Sequence, residues 1–368
     1  MPVHLLLLIA ALAGCSQVDV GRPVERPAVA APAPAHPLAT RIQALGQGFD
    51  GEVGIAVREI DTGWTTAWRG DDAFPQQSVA KLWAALALLD AVDKGKLALA
   101  EPVVVRRDDL SIFHQPIRAQ VMTGDGYHTT LESLLRGALT QSDNAANQFL
   151  VTRVGGPEAV QATLDAKRIT HVRFGPGERV LQPAIAGLTW RREFSYGKQF
   201  WRARAFVPPE VRRQALANYL KDPMDGATPL AMVETLARLR KGELLSPAST
   251  TLMLAIMSAS ETGPMRLHAG LAPGWTMAHK TGTGQVLEAV STGYNDVAII
   301  TAPDGKAYAV AVMIGSTERP VPERQALMAA VSRAVVDWHD GRDPNAVISE
   351  PASPPTQPAS SAAPPARR

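Results

Sequence analysis

The chain has 368 residues, of which 46% are hydrophobic and 20% are charged, an ordinary composition for a folded protein of one or two domains. Its 37 basic and 35 acidic residues are mixed along the sequence and leave a formal net charge of +2, so the concentrated basic surface of a nucleic-acid-binding protein is not expected. The one cysteine, Cys15, excludes an intramolecular disulfide, a cysteine-based metal cluster and a catalytic thiol in the globular part.

The first residues have the pattern of a bacterial lipoprotein signal. Leu5 to Ala13 form an apolar run that is too short to span a bilayer, and small residues lead into Cys15. Residues 1–15 are therefore predicted to be a signal peptide with Cys15 as the lipidated residue. Because Met1 to His4 contain no Lys or Arg where an export signal carries positive charge, an ordinary buried hydrophobic N-terminus stays open as the alternative.

Two further terminal segments are too poor in large apolar residues to form a core. Residues 16–37 are rich in Pro and Ala and are predicted to be an extended tether, and residues 349–368 have a Pro/Ser/Ala-rich composition typical of disorder. Residues 38–348 are left as the folded domain. A lipid on Cys15 would anchor this domain to a membrane of the cell envelope, so we expect a periplasmic, membrane-attached monomer.

The two ends of the folded domain carry strand patterns. Gly51 to Ile60 and Trp64 to Trp68 flank a short turn that contains Gly63. Val297 to Thr301 and Tyr308 to Ile314 flank a second turn, which contains Pro, Asp and Gly. Each pair is predicted to form a hairpin.

A final amphipathic helix is predicted at Pro322 to Trp338, where apolar residues recur at helical spacing. The chain between the terminal hairpins is mostly helical in pattern. Strands at both ends with helices between them indicate an α/β (α+β) fold, in which an antiparallel five-stranded sheet is flanked by helices and carries an inserted all-helical subdomain. An active site is expected at the seam between the two parts.

The first chemical motif is Ser78-x-x-Lys81, which opens an apolar, helix-like stretch from Leu82 to Asp90. Residues three apart share one face of a helix, so the Lys81 amine is expected beside the Ser78 hydroxyl, where it can activate it. The Ser78 backbone N–H would stand at the positive end of the helix and could stabilise an oxyanion. On its own the motif also fits an N-capping serine followed by an exposed lysine.

Two further motifs follow in the chain. Ser142-Asp143-Asn144 comes after the helix-like segment Leu131 to Leu139 and, alone, also fits a polar helix cap. Lys280-Thr281-Gly282-Thr283-Gly284, alone, also fits a glycine-bearing strand edge. The three motifs together, in this order, resemble the pattern of the class A β-lactamases and penicillin-binding proteins, and the resemblance covers most of the chain from about residue 40 to about residue 340.

The resemblance implies a serine β-lactamase that opens the β-lactam amide bond of a small-molecule substrate through an acyl-serine intermediate and confers β-lactam resistance. Ser78 would be the nucleophile, Lys81 its activating partner and Ser142 a proton shuttle to the leaving nitrogen. The substrate contacts that it implies are Asn144 for the side-chain amide, Lys280 and Thr281 for the carboxylate, and the backbone N–H groups of Ser78 and Thr283 as the oxyanion hole. No cofactor is implied, and no metal, since the histidines are scattered without ligand spacing.

A β-lactamase also needs a general base to aim water at the acyl-serine. By the resemblance this base is Glu178, at the start of Glu178-Arg179-Val180-Leu181-Gln182 in the family's omega loop. Gln182 stands where the family usually has an asparagine, and its side-chain amide would help to hold the water. A solvated surface glutamate is the alternative reading of Glu178.

Several positions depart from the family's pattern. Pro176 stands where relatives usually carry an arginine that pairs with the loop-closing aspartate, here Asp225. Residues 183–221 lengthen the loop, and their basic side chains are interpreted as a solvated helical surface to which no function is assigned. Tyr294 occupies a place where many relatives carry an arginine, so support of the substrate carboxylate is assigned to Arg266.

Two other functions stay open at this point. A penicillin-binding protein or D,D-peptidase acting on peptidoglycan stem peptides would keep every motif except the deacylating pair, and it is favoured if Glu178 is out of place. A non-catalytic module that is acylated by β-lactams as a signal would keep the fold, but a lipid anchor gives no route across the membrane.

Overall fold

The computed structural model describes residues 36–346. The predicted signal peptide, the lipidation site Cys15 and the tail after residue 348 lie outside these residues, as does the tether up to residue 35. The first helix begins at Pro37, the last residue of the predicted tether. Directly before it, the ring of His36 stacks on that of Trp64 with centroids 3.9 Å apart.

Within residues 36–346 the chain forms twelve α-helices and ten strands. The helices are α1 Pro37–Gly48, α2 Lys81–Asp93, α3 Arg118–Val121, α4 Leu131–Thr140, α5 Asn144–Arg153, α6 Pro157–Ala166, α7 Glu178–Ile185, α8 Gln199–Phe206, α9 Pro209–Lys221, α10 Pro229–Arg240, α11 Pro247–Ser258 and α12 Val321–His339. The strands are β1 Glu52–Glu59, β2 Thr65–Trp68, β3 Phe74–Pro75, β4 Pro102–Val105, β5 Tyr127–Thr130, β6 Gly226–Ala227, β7 Thr276–Thr283, β8 Val286–Leu287, β9 Val290–Thr301 and β10 Ala307–Thr317. None of these twelve helices has both the length and the apolar character needed to cross a membrane.

The principal sheet is antiparallel and is built by the two ends of the domain. Its strands follow the order β2-β1-β10-β9-β7, and the two-residue β8 pairs with the beginning of β9. Both predicted hairpins are confirmed, since β1 pairs with β2 and β9 with β10. The predicted terminal helix is confirmed as α12. The fold class is therefore as predicted, with β8 as a short sixth strand.

Helices cover both faces of this sheet, and β10 shows how. Successive side chains of a strand point to opposite faces. Val310 and Val312 pack in one apolar core together with residues of α1 and α12, whereas Ala309 and Ala311 belong to a second core with residues of α2 and α10. Burial on both faces explains why this strand is apolar along nearly its whole length.

The inserted part between β2 and β7 is helical except for two short strand pairs. β3 pairs with β6, and β4 pairs with β5. The predicted all-helical subdomain did not include them, because strands of two to four residues give no periodic signal that separates them from loops.

The predicted seam lies where the start of α2 meets β7. The stretch from Lys81 to Asp90 is buried throughout, which is typical of a central helix that is covered on all sides. A 3₁₀ turn, Gln77–Ala80, leads directly into this helix. β7 runs close beside that turn, since a methyl group added at Gly282 would lie only 2.3 Å from the carbonyl oxygen of Gln76.

Candidate active site

Ser78 lies in the 3₁₀ turn that leads into α2, as the sequence predicts. The residue before it, Gln77, has a φ of 54°, in the left-handed region that few residues other than glycine adopt. The Lys81 Nζ atom donates a hydrogen bond of 2.7 Å to Ser78 Oγ. The lysine that the spacing places on the same face therefore touches the proposed nucleophile.

The side chain of Lys81 is 1% exposed and connects three functional groups. Besides Ser78 Oγ, its Nζ atom donates to Asn144 Oδ1 at 2.7 Å and to Glu178 Oε1 at 2.5 Å. An ammonium group has three protons, so these three acceptors satisfy all of them. The arrangement excludes the alternative in which Lys81 is an exposed lysine, and it likewise excludes a solvated surface glutamate at position 178, whose side chain is 13% exposed.

Ser142 and Lys280 form the opposite side of the site. Ser142 has a φ of 60° and is thus a second residue with left-handed backbone that lines the same cleft as Ser78. The Lys280 Nζ atom donates to Ser142 Oγ at 2.9 Å and to the carbonyl oxygen of Thr281 at 3.0 Å. Burial lowers the pKa of Lys280 well below the usual lysine value, and the positive charges of Lys81 and Arg266 lower it further. A negatively charged substrate group would offset that repulsion.

Asp143 and Asn144 position the start of α5. Asp143 caps the helix by accepting hydrogen bonds from the backbone N–H groups of Ala145 and Ala146, as the helix-cap interpretation predicts. This role of Asp143 leaves the side chains of Ser142 and Asn144 available to the cleft. Asn144 is the first helical residue, and its Nδ2 atom donates to the carbonyl oxygen of Ile112 at 2.7 Å. That bond uses one amide proton and leaves the second for a ligand.

Glu178 is the first residue of α7, where the helix dipole favours a carboxylate. Gln182 lies one turn later on the same helix. Its Nε2 atom donates to Gln77 Oε1 at 2.8 Å, and its Oε1 atom accepts from Gln285 Nε2 at 3.0 Å. The amide that was predicted to hold a water is therefore also bonded to the turn beside Ser78.

Arg266 lies beside β7 and has 7% of its surface exposed. Its Nη1 atom donates to the carbonyl oxygens of Gly282 at 2.9 Å and Asn295 at 2.6 Å, and its Nη2 atom donates to Thr283 Oγ1 at 2.6 Å. Its guanidinium carbon also lies 3.8 Å from the ring centre of Tyr294. The two positions that the sequence linked to carboxylate support thus meet in space, and the guanidinium connects β7 to β9.

These residues surround a cleft of about 250 Å³, a volume suited to a small molecule. Thr281 is held there by a hydrogen bond of 2.7 Å between its hydroxyl and that of Thr262. The lining residues are Ser78, Phe113, His114, Gln141, Ser142, Asn144, Glu178, Gln182, Thr262, Arg266, Thr281 and Thr283. Of the predicted catalytic and substrate-binding residues, Lys81 and Lys280 are absent from this lining, and both lie behind it in contact with lining hydroxyls.

The structure adds residues that the sequence reasoning missed. Phe113 lines the cleft, and Gln77, Tyr219 and Gln285 join a hydrogen-bonded network behind Glu178. No local pattern marks them, because their partners are distant in the chain. Within residues 36–346, no cluster of three His, Cys, Asp or Glu side chains is placed to hold a metal ion.

Comparison with known proteins gives a consistent set of relatives. The model of the family described as "Beta-lactamase enzyme family" matches residues 37–339. Beta-lactamase CTX-M-8 of Citrobacter amalonaticus is 28% identical over 308 residues, which are 83% of this chain and 91% of that protein. Extended-spectrum beta-lactamase PER-1 of Pseudomonas aeruginosa is 28% identical over 302 residues, which are 82% of this chain and 87% of that protein.

Two solved structures resemble the fold as well as the sequence. A beta-lactamase from Chitinophaga pinensis DSM 2588 has a TM-score of 0.68 and 27% identity, over 83% of this chain and 100% of that chain. An ancestral (GNCA) class A beta-lactamase has a TM-score of 0.64 and 30% identity, over 82% of this chain and 99% of that chain.

Proposed function

This chain belongs to the beta-lactamase enzyme family, and on that basis we propose that it hydrolyses the β-lactam amide bond through an acyl-serine intermediate and so confers β-lactam resistance. One observation carries the proposal: a single buried amine, Lys81 Nζ, lies within hydrogen-bond distance of both Ser78 Oγ and Glu178 Oε1. The nucleophile and the carboxylate needed for the second step are thereby joined in one site.

In the acylation step, Ser78 Oγ attacks the carbonyl carbon of the ring. The contact between Lys81 and Glu178 allows the carboxylate to take a proton from the ammonium group, which leaves a neutral amine to accept the proton of Ser78. The backbone N–H groups of Ser78 and Thr283 are the proposed donors to the oxyanion. When the C–N bond breaks, the ring nitrogen takes the proton of Ser142, and Lys280 replaces it. Glu178 lines the open cleft and then gives the proton that it took from Lys81 to solvent, while Lys280 regains a proton from solvent. Glu178 is thus a carboxylate again before the second step.

In the deacylation step, the Glu178 carboxylate removes a proton from water, and the resulting hydroxide attacks the acyl carbonyl. Ser78 Oγ then leaves and recovers its proton through Lys81. Ser78, Glu178 and Gln182 line the same cleft, so a water held between the two α7 side chains could approach the ester. The penicillin-binding alternative keeps every motif except this deacylating pair, so the position of Glu178 beside Lys81 favours hydrolysis.

The test is a stopped-flow and mass-spectrometric time course of the purified full-length protein with a chromogenic cephalosporin, beside Glu178→Gln. We expect repeated turnover by the wild type and a loss of at least ~100-fold in kcat for the variant, with an acyl adduct accumulating on Ser78. Glu210→Gln is the matched control, since Glu210 is exposed on α9 and has no ion pair or side-chain hydrogen bond within the described residues. A single burst followed by stable acylation of the wild type would contradict hydrolysis and favour the penicillin-binding alternative.

We also propose that the protein is lipidated at Cys15 and attached to a membrane of the cell envelope on the periplasmic side. The support is the apolar run before Cys15 and the Pro/Ala-rich segment after it. Mass spectrometry of the mature protein should show an acylated N-terminal cysteine, and Cys15→Ser should move the protein from the membrane fraction to the soluble fraction. Size-exclusion chromatography of that variant tests the expected monomer.

A further inference from the structure

A continuous path of hydrogen bonds runs from Gln285, through Gln182 of the helix that carries Glu178, to Asp225. The proposed reaction steps do not use it. Gln285 Nε2 donates to Gln182 Oε1, Gln182 Nε2 donates to Gln77 Oε1 at 2.8 Å, and Gln77 Nε2 donates to Tyr219 Oη at 2.6 Å. The Tyr219 hydroxyl then donates to Asp225 Oδ1 at 2.9 Å. Every group in this path donates in the same direction, toward the carboxylate, so each bond polarises the next.

The path ends on a carboxylate that has no cationic partner within residues 36–346. Asp225 is fully buried, and its second oxygen, Oδ2, accepts a hydrogen bond of 2.7 Å from the backbone N–H of Gln77. Burial raises the pKa of Asp225, while the Gln77 N–H and the Tyr219 hydroxyl oppose that rise. Burial and the negative charge of Asp225 hold the pKa of Tyr219 well above its usual value, so its hydroxyl stays a donor.

The path touches both halves of the proposed chemistry. Gln77 is the left-handed residue that directly precedes Ser78, and a methyl group added at Gly293 would lie 2.6 Å from its Cγ atom, so its side chain is tightly confined. Gln182 lies one turn after Glu178 on α7. A bond between Gln77 and Gln182 therefore ties the nucleophile turn to the helix that carries the base.

Tyr219 comes from α9, in the insert of residues 183–221 to which the sequence assigned no function. Its ring packs in a small apolar cluster with Leu181 of α7 and Leu216 of α9. The ring thus holds α9 against α7 by apolar contact, and the hydroxyl links the Asp225 carboxylate to the side-chain amide of Gln77. Replacing Tyr219 by phenylalanine would keep the first role and remove the second.

We propose that Tyr219 is a positioning residue for deacylation. Its hydroxyl orients the side-chain amide of Gln77 so that this amide can bond Gln182 of α7. This bond keeps Glu178, on the same helix, at the correct distance from Ser78. The inference rests on the proposed function. It predicts an unequal effect on the two steps. Without the hydroxyl, the Gln77 side-chain amide loses its acceptor and is free to turn away from Gln182. The hydrogen bond from the Gln77 backbone N–H to Asp225 remains and still holds the turn that carries Ser78.

The experiment measures acylation and deacylation separately in the full-length protein, by stopped flow with a chromogenic cephalosporin and mass spectrometry of the acyl adduct. For Tyr219→Phe we expect deacylation to slow about tenfold, the size of effect that one buried hydrogen bond gives, while the acylation rate changes less than about threefold. As a consequence kcat and KM should fall together, with little change in kcat/KM. Tyr196→Phe is the matched control in the same insert, because the Tyr196 hydroxyl makes only a 3.5 Å contact to the carbonyl oxygen of Arg107.

A second variant covers the case in which Tyr219→Phe does not fold. Gln77→Met keeps the pair of Tyr219 and Asp225 but breaks the link to Gln182, so it should show the same selective loss of deacylation. If both single variants fold, the double variant should be no slower than the slower single one, since both interrupt the same path. Equal losses in both steps, additive losses, or unchanged deacylation in a folded variant would overturn the inference.

The outcome also separates this inference from the proposed function. Wild-type turnover with unchanged deacylation in Tyr219→Phe overturns the role of Tyr219 alone. A wild type that is acylated and never released overturns both, because no deacylation is then left to position.

Discussion

Replacing Arg266 by alanine tests whether this residue connects two strands or serves only the substrate carboxylate. The sequence assigned it to the carboxylate, and the structure places its guanidinium on the carbonyl oxygens of Gly282 and Asn295 and on the Thr283 hydroxyl. These contacts hold the end of β7, whose Thr283 N–H is a proposed donor to the oxyanion. The variant should therefore lose stability and turnover together, in addition to any loss of substrate affinity.

The expected magnitude follows from the contacts. Arg266→Ala removes three hydrogen bonds from a charged donor and one cation–π contact. Because the site opens to the cleft, water can replace part of these contacts. We therefore expect a loss of about 2–4 kcal/mol in the free energy of unfolding. For roughly 310 folded residues, the unfolding entropy converts that loss into a fall of about 3–6 °C in Tm. A shifted oxyanion donor should lower kcat about tenfold, less than the loss expected when such a donor is removed.

The assay combines thermal unfolding by circular dichroism with steady-state kinetics on an anionic cephalosporin. Arg333→Ala is the control, since Arg333 is exposed in the middle of α12 without an ion pair or side-chain hydrogen bond among residues 36–346, and its replacement should change the stability by less than about 0.5 kcal/mol. Arg266→Lys keeps the charge without the planar fork, so its Tm should fall while its KM stays near the wild-type value. A normal Tm for Arg266→Ala with only a raised KM would refute the strand-bridging role.

Two further predictions concern the charge and the wall of the cleft. Because the pKa of Lys280 is lowered, its charge is lost at a lower pH than in an ordinary lysine. KM for an anionic substrate should therefore rise as the pH increases through that lowered pKa. In Lys280→Arg the rise in KM should shift to higher pH. A pH series of KM checks this, and equal profiles for the two proteins would count against it. Trp201 stacks on Phe113 with ring centroids 5.2 Å apart, so Trp201→Ala should raise KM about 2- to 10-fold for substrates with aromatic side chains and leave kcat unchanged. A panel of β-lactams with and without an aromatic group measures this, and equal effects on both sets would contradict it.

The parts of the site that were predictable from the sequence depend on short-range geometry or on motif order. Ser78 and Lys81 are one helical turn apart, so their contact follows from the helix alone. Lys280 and Thr281 belong to β7, a strand whose position was predicted from the resemblance, and the structure places Lys280 against Ser142. The terminal hairpins were predictable for the same reason, since each joins neighbours in the chain across a turn signal.

The contacts that were not predictable join residues that are far apart in sequence. Tyr219 reaches Gln77 across 142 positions, and Arg266 reaches Asn295 across 29. Neither pair leaves a period, a charge run or a turn signal in the sequence. Gln182 was predicted to hold water, but its bonds to Gln77 and Gln285 depend on how α7 lies against the nucleophile turn, which is a property of the tertiary packing.

The way in which the nucleophile turn is held explains how this fold accommodates a lengthened loop. A left-handed φ at Gln77 persists only where the surroundings fix it. On one side of the turn, Asn295 of β9 donates hydrogen bonds to the carbonyl oxygens of Pro75 and Gln76. On the other side, Asp225, in the segment before α10, accepts a hydrogen bond from the Gln77 backbone N–H. Neither anchor lies within residues 183–221. The insert can therefore vary without displacing Ser78, and its influence on catalysis should act through Tyr219 and α7, on the second step of the reaction more than on the first.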